Sequence, residues 1–213
     1  ARRDALGWSG WTCTGSGAGR VATGLCSVTW YGVTCTAGNV ATISLNSKSI
    51  SGSLPSTIQY LTALTHLSFN GNILAGTIPS GIGSLTSLTS IILSDNALVG
   101  TIPGSIGLIH SLQYLQLYNN KLTSYISNMI YQLPNLIMLQ LHSNSLIGGL
   151  PSFVGSLSKL THLRLDSNKL AGSIPSVIGS MANLQVFYLQ VNSYTGTIPS
   201  TIGSLTSLKY LYL

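Results

Sequence analysis

The sequence contains no glutamate, and its only acidic residues are Asp4, Asp95 and Asp166. Charged residues make up 6% of the chain, against about 25% in an ordinary soluble domain, so uncharged polar residues and tyrosine must cover the surface. Three isolated aspartates provide no pair of carboxylates for general acid–base catalysis. No phosphate-binding loop or dinucleotide-binding fingerprint occurs either. The sequence therefore predicts a protein that is not an enzyme and that needs no cofactor.

Long apolar runs are also missing, although hydrophobic residues reach 45% and the mean hydropathy is +0.41. A membrane-spanning helix needs about 20 mostly apolar residues in a row, and Ser, Thr, Gly, Asn or Pro soon interrupts every apolar group here. We predict no transmembrane segment in this fragment. The chain starts at Ala1 without a signal-type stretch and ends at Leu213 in the middle of a pattern, as expected of a processed protein or a fragment.

Clustered positive charge is absent as well, although the net charge is +6 and the pI is near 9.4. Three of the nine basic residues lie within the first 20 positions, and the other six are scattered over the rest of the chain. Nucleic-acid binding requires a basic patch or stripe. We therefore predict no nucleic-acid partner.

Cysteine is scarce, with Cys13, Cys26 and Cys35 as the only examples. They form no C-x-x-C pair and no histidine lies near them in the sequence, so we predict no metal site. A disulfide is the better interpretation and implies an oxidising compartment. Whether Cys26 pairs with Cys13 or with Cys35, one of the three cysteines is left over.

A repeat of 24 residues dominates what the sequence does contain. Each period follows the template L-x-x-L-x-x-L-x-L-x-x-N-x-L-x-G-x-I-P-x-x-I-G-x, and an imperfect first period begins near Val40. We call each period a coil and count full coils from Leu61. The full coils and the truncated last one begin at Leu61, Leu85, Ile109, Leu133, Leu157, Met181 and Leu205. The pattern predicts a cap over residues 1–39 and a repeat solenoid over residues 40–213.

The residue types predict the structure of one coil. The L-x-L pair alternates like a strand with one buried face, and stacked coils place these strands in a parallel sheet about 4.8 Å apart. The asparagine that recurs every 24 residues can satisfy backbone groups in the following turn with its side-chain amide. This structural ladder is predicted for Asn72, Asn96, Asn120, Asn144, Asn168 and Asn192. The third full coil departs most from the template, with Ser124 and Tyr131 in place of glycine, so we expect its outer side to differ.

This template resembles the plant-type leucine-rich repeat, whose signature includes the L-x-G-x-I-P extension. Receptor ectodomains, polygalacturonase-inhibiting proteins and protist surface antigens carry it. The string CSVTWYGVTC at residues 26–35 resembles the N-terminal cap of the same proteins. The resemblance implies an α/β-class solenoid with a concave parallel β-sheet and short helical or irregular turns on the convex side. It also implies a secreted or cell-surface protein and a Cys26–Cys35 disulfide, with Cys13–Cys26 as the alternative pairing.

The exposed positions of such a sheet form columns that can be read from the sequence. Large polar and aromatic residues concentrate between coils three and six, as expected of a binding surface. The predicted ligand-binding residues on the concave face are Tyr114, Gln116, Tyr118, Gln140, His142, His162, Arg164, Asp166 and Tyr188. We predict that they bind a protein, a peptide or a glycan. A catalytic arrangement of Ser143, His142 and Asp166 is not expected, because an open sheet provides no oxyanion hole and no buried acid.

Two other functions are consistent with the sequence. Ice binding is suggested by the scarcity of charge and by a convex column rich in hydroxyl groups, which Tyr125 and Gly149 interrupt. A structural subunit that assembles through an open C-terminal end at Leu213 is the third hypothesis. The fold alone does not separate these functions.

Overall fold

The computed structural model describes residues 31–213, which form a solenoid of stacked coils with one β-sheet on its inner side and a second on its outer side. The strands of this region are, in chain order, β1 (Val33–Thr36), β2 (Asn39–Ser44), β3 (Ser51–Gly52), β4 (His66–Ser68), β5 (Ile73–Gly76), β6 (Ser90–Ile92), β7 (Ala97–Gly100), β8 (Tyr114–Gln116), β9 (Lys121–Tyr125), β10 (Met138–Gln140), β11 (Ser145–Gly148), β12 (His162–Arg164), β13 (Lys169–Gly172), β14 (Val186–Tyr188), β15 (Ser193–Tyr194) and β16 (Tyr210–Tyr212). Short 3-10 turns span Ser56–Tyr60, Ser80–Ser84, Gly104–Leu108, Ile130–Gln132, Ser152–Ser156, Ser176–Ser180 and Ser200–Ser204. The predicted repeat solenoid is confirmed.

The main sheet has the order β1-β2-β4-β6-β8-β10-β12-β14-β16 within the described residues. From β2 onward the strands are parallel, and each residue faces its equivalent 24 positions along, as Leu139 faces Leu163. The central residue of each strand points inward, and Leu115, Leu139 and Leu163 are fully buried. Strand β1 pairs antiparallel with β2 at the sheet edge. Residues 1–30 of the predicted cap lie outside the described residues, so its boundary at residue 39 stays a prediction.

The outer sheet was not predicted from the sequence. Its order is β15-β13-β11-β9-β7-β5-β3. Partners here lie 22 residues apart, as in Ala75 with Ala97 and Val99 with Lys121. Residues that are equivalent in the repeat are therefore offset by two positions along the strand, which is roughly 6.6 Å.

The asparagine side chains hydrogen-bond to backbone groups at the turn that follows each main-sheet strand. In Asn144, Nδ2 donates to the carbonyl oxygens of Leu117 and Leu141 at 3.0 Å each, and Oδ1 accepts from the Leu122 amide at 3.0 Å. One asparagine thus links its own turn to the preceding coil, and its side chain is half-buried. The same pattern occurs at Asn72, Asn96, Asn120, Asn168 and Asn192.

The third full coil differs from the others on its outer side. Its 3-10 turn is three residues long, whereas each of the other turns has five. Ser124 adopts the left-handed backbone conformation of the glycine it replaces, with φ +73°. Tyr131 replaces a second glycine and is 1% exposed. Its hydroxyl has no hydrogen-bond partner, and burial raises the pKa of this phenol.

Candidate ligand-binding surface

The exposed face of the main sheet carries three columns of side chains. The first column contains the first residue of each three-residue strand, and the second column contains the third residue. The third column contains the residue two positions after the end of the strand. Direct pairing places Gln116 beside Gln140, Gln140 beside Arg164 and Arg164 beside Tyr188. The structure therefore brings the predicted ligand-binding residues of β8, β10, β12 and β14 onto one continuous face.

Arg164 and Asp166 form the charged centre of this surface. The Nε and Nη2 atoms of Arg164 donate to Oδ1 and Oδ2 of Asp166, each at 3.2 Å. The guanidinium also lies over the Tyr188 ring, 5.0 Å from its centroid. Tyr188 in turn meets Tyr212 edge-on, with ring centroids 4.7 Å apart. The Nε and Nη2 donors of Arg164 are thus already bonded to a carboxylate of the same chain.

Tyr118 and His142 form a stacked pair next to this centre. Their ring centroids are 4.5 Å apart and their planes differ by 10°. Burial lowers the pKa of His142 below 6.5 and Arg164 lowers it further, while Asp166 and Asp95 act in the opposite direction. His142 is therefore neutral at pH 7.

Two of the predicted ligand-binding residues are less accessible than an open sheet suggests. His142 is 8% exposed and Asp166 is 4% exposed. Their equivalents in the third column shield them, and Arg164 covers the Asp166 carboxylate. The expectation that both side chains lie open to solvent is wrong. They hold Tyr118 and Arg164 in place and offer little area of their own.

The combination of Ser143, His142 and Asp166 does not form a catalytic relay. The Nδ1 atom of His142 has no hydrogen-bond partner, and both Asp166 oxygens bond to Arg164. Ser143 lies in a turn with φ +54°. A histidine that no acid orients cannot act as the base of a triad.

The remaining predicted residues lie at the edge of this centre. The Gln116 amide contacts the sulfur of Met138, with Nε2 to Sδ at 2.9 Å. His162 contacts Thr161, with Nδ1 to Oγ1 at 2.8 Å. Burial lowers the pKa of His162, with a smaller contribution from Lys209. Tyr114 and Gln140 are half-exposed members of the first two columns.

The predicted ligand-binding set leaves out Tyr210 and Tyr212, although the sequence places both in the exposed columns. Both lie in β16 and are 54% exposed. Their spacing of 24 residues from Val186 and Tyr188 was the available signal. They extend the aromatic face by one coil.

The column of hydroxyl-bearing residues predicted on the outer side is interrupted, and its members are offset along the outer strands. Its members, all exposed, are Ser53, Thr77, Thr101, Tyr125, Gly149, Ser173 and Thr197. The Tyr125 ring lies over Gly148, where a Cβ would come within 2.6 Å of Cδ1. The two-residue offset between outer strands places neighbouring members of this column obliquely across the sheet.

Two kinds of feature are absent from residues 31–213. No helix there has both the length and the apolar character needed to cross a membrane. No group of three or more His, Cys, Asp or Glu side chains in the same region could hold a metal ion.

Comparison with protein-family models decides the family. The model of the leucine-rich repeat region matches residues 96–213, and a single leucine-rich repeat matches residues 63–85. The chain is a leucine-rich-repeat protein of the plant type. No curated protein sequence matches this leucine-rich-repeat chain.

Solved structures similar to this leucine-rich-repeat protein include plant peptide-hormone receptors. The plant peptide hormone receptor RGFR1, in complex with RGF2, is 36% identical with a TM-score of 0.78, over 79% of this chain and 27% of the receptor. The PEPR1–AtPEP1 structure is 33% identical with a TM-score of 0.82, over 92% and 27%. The Arabidopsis receptor kinase HAESA, in complex with the peptide hormone IDA and the co-receptor SERK1, is 33% identical with a TM-score of 0.78, over 84% and 31%.

The chain spans less than a third of the length of these receptor structures. A plant ice-binding protein is also similar, with a TM-score of 0.57 over 85% of this chain and 84% of that one. Its identity of 21% supports a shared fold and nothing further.

Proposed function

We propose that this leucine-rich-repeat protein is an extracellular, non-catalytic recognition module that binds a peptide on the concave face of the main sheet. The bound peptide lies across coils three to six. It contacts Tyr118, Arg164 and Tyr188, together with the half-exposed residues of the first two columns.

One observation carries this proposal: the side chains of successive coils are linked into a single surface. The links run from Asp166 to Arg164, from Arg164 to Tyr188 and from Tyr188 to Tyr212. Tyrosines and arginine are the side chains that most often dominate binding energy, and fixed side chains lose little entropy when a ligand binds. Earlier coils offer mainly small polar groups on the same face.

The comparisons support a peptide as the ligand in preference to the other classes named by the sequence. RGFR1 and HAESA are solved in complex with RGF2 and with the peptide hormone IDA. Their similarity to this chain also supports the extracellular location. Cys35 takes part in a disulfide, which supports an oxidising compartment, and its pairing with Cys26 stays a prediction because Cys26 lies outside the described residues.

Alanine substitutions at Tyr118 and Arg164 test the proposal. Peptides are selected on the wild-type protein from a random-sequence library, and their affinities are measured by calorimetry. Each substitution should cost about 2 kcal/mol or more of binding free energy if these residues are hot spots. Thermal unfolding monitors the integrity of the stack.

Tyr125→Ala and Lys169→Ala are the matched controls, because Tyr125 and Lys169 are exposed on the outer sheet. Undiminished binding by the Tyr118→Ala/Arg164→Ala protein would contradict the proposed site. Loss of binding on Tyr125→Ala would move the site to the outer sheet.

A further inference from the structure

The first column of the main sheet carries an aromatic ring at every second coil. The rings are those of His66, Tyr114, His162 and Tyr210, 48 residues apart. Direct strand pairing connects all four through one intervening residue each. Histidine and tyrosine alternate, so the pattern repeats in chemistry as well as in position.

The intervening residues are not aromatic: they are Ser90, Met138 and Val186. Ser90 is 6% exposed and the other two are half-buried. The rings at the ends of the column are exposed and the middle two are half-exposed. The column therefore alternates ring and non-ring side chains, and the second and third columns show no such alternation.

The two histidine rings are fixed in the same tautomer by a preceding threonine. The Oγ1 hydroxyls of Thr65 and Thr161 donate to a carbonyl of the preceding coil, at 2.8 and 3.0 Å. Each hydroxyl must then accept from Nδ1 of the next residue, which lies 2.9 Å away in His66 and 2.8 Å away in His162. Nε2 of His162 is left as an acceptor, whereas Nε2 of His66 contacts Thr89 Oγ1 at 3.5 Å, and the tyrosine hydroxyls can donate.

The spacing of the rings selects the backbone conformation of a ligand that runs across the coils. Neighbouring strands lie about 4.8 Å apart, so every second coil recurs at about 9.6 Å. A polyproline II helix presents the same face every three residues, which is about 9.3 Å at 3.1 Å per residue. In an extended β-strand the same face recurs every two residues, about 6.7 Å, and the residue three positions along points to the opposite face. Of these two extended conformations, polyproline II is the one whose period fits the rings.

The charge on the face selects an uncharged ligand. The first column contains no Lys, Arg, Asp or Glu. In the neighbouring columns Arg164 is paired with Asp166. A charged segment would find no charged side chain in the first column to pair with.

We propose that the ligand segment is an uncharged, proline-rich polyproline II helix that lies along the first column, with every third residue against one of the four rings. This inference rests on the proposed peptide-binding function, names its ligand class and extends the contact beyond coils three to six, to His66 and Tyr210. Aromatic grooves suit such segments because the helix is already ordered before it binds. Its backbone carbonyl oxygens are free to accept from the tyrosine hydroxyls, and only a non-proline residue in the segment can donate its N–H to a histidine nitrogen.

Decaproline tests the proposal directly, because about nine residues cover the roughly 28 Å between the first and last rings. Calorimetry on the full chain should show saturable binding of L-decaproline. D-decaproline has the same composition and forms the helix of opposite hand. It should bind at least about tenfold more weakly, and equal binding of the two forms would overturn the proposal.

The double substitution Tyr114→Met/Met138→Tyr tests the register. It preserves composition and moves one ring by one coil, so the affinity for L-decaproline should fall by about tenfold or more. If this protein fails to fold, Tyr210→Ala at an exposed position should still weaken binding severalfold, and Tyr125→Met on the outer sheet should not. Wild-type affinity in the register variant, or in Tyr210→Ala, would overturn the proposal.

A random L-peptide library separates this inference from the proposed function. Retained peptides that depend on Tyr118 and Arg164, but contain no proline-rich segment and ignore the register change, would overturn the polyproline inference and leave the proposed function standing. Retention of no peptide, together with no binding of L-decaproline, would overturn both.

Discussion

Arg164 shows how little free charge this surface offers. Its guanidinium is engaged twice by Asp166 and once by the face of Tyr188. A ligand carboxylate that took the same two donors would have to displace Asp166, which is 4% exposed and would lose its partner inside the protein. Leaving one member of a buried pair without its partner costs several kcal/mol. At the residue scale, the geometry favours uncharged ligand groups over acidic ones.

His142 makes the stability of the fold depend on pH. Its pKa is lowered in the folded protein, first by burial and then by Arg164, so the unfolded chain binds a proton more readily. The free energy of unfolding should therefore decrease as the pH falls below about 6.5, the ordinary histidine value. His142→Phe keeps the stack on Tyr118 and should reduce this loss, as measured by chemical denaturation between about pH 7 and 5.

His66→Phe is the control for His142→Phe, because His66 is exposed on the same face. The control should retain the wild-type dependence of stability on pH. An unchanged dependence in His142→Phe would contradict the assignment of this loss to His142.

At the scale of the elements, each main-sheet strand from β4 to β14 is followed, four residues after its end, by an asparagine that closes the turn. Asn144 satisfies two carbonyl oxygens and one amide hydrogen that no sheet ladder reaches. Because the interactions cross between coils, the asparagine couples neighbours as well as closing its own turn. Stability in such arrays depends on the interface between adjacent coils.

Asn144→Leu should lower the free energy of unfolding by about 1–3 kcal/mol, because it leaves these backbone groups without partners. Denaturant titration followed by circular dichroism provides the measurement. Asn128→Leu is the control, since Asn128 is exposed outside the ladder. Equal denaturation midpoints for Asn144→Leu and wild type would show that the ladder does not stabilise the fold.

The third coil shows that a coil tolerates replacement of its glycines on the outer side. Ser124 keeps the backbone in the left-handed region at φ +73°, and Tyr131 places its ring in the core. The main-sheet strand of the same coil keeps its register with both neighbours. Variation on the outer side is thus separated from the face on which we place the ligand.

At the scale of the whole molecule, a solenoid exposes the core of its terminal coils unless caps cover them. In the last coil Leu211 is 38% exposed and Leu213 is 43% exposed. Assembly through this end stays a prediction. At the other end, the sequence places tryptophans and cysteines, and the described part of that segment adds β1 to the sheet.

We expect the secreted protein to contain a Cys26–Cys35 disulfide. Peptide mapping without reductant should recover the two cysteines in one linked fragment, and the same digest after reduction is the control. A linked Cys13–Cys26 fragment would contradict both this pairing and the disulfide of Cys35. Free thiols at both Cys26 and Cys35 in freshly secreted protein would contradict the extracellular assignment.

The sequence by itself determined the solenoid, the position of each main-sheet strand and the membership of the exposed columns. A strict 24-residue period stacks equivalent residues, and the alternation of strand side chains decides which of them point inward. The asparagine positions followed from the same period, since one side chain per turn must satisfy the backbone groups left by the strand.

Only the tertiary structure decided how the side chains of different coils meet. The burial of His142 and Asp166, the stacking of Arg164 on Tyr188 and the two-residue offset of the outer strands depend on the rotamers and strand directions of neighbouring coils. A repeat period in the sequence specifies neither side-chain rotamers nor strand directions. It fixes which residues are neighbours, whereas contact distances and hydrogen bonds arise from how those neighbours pack.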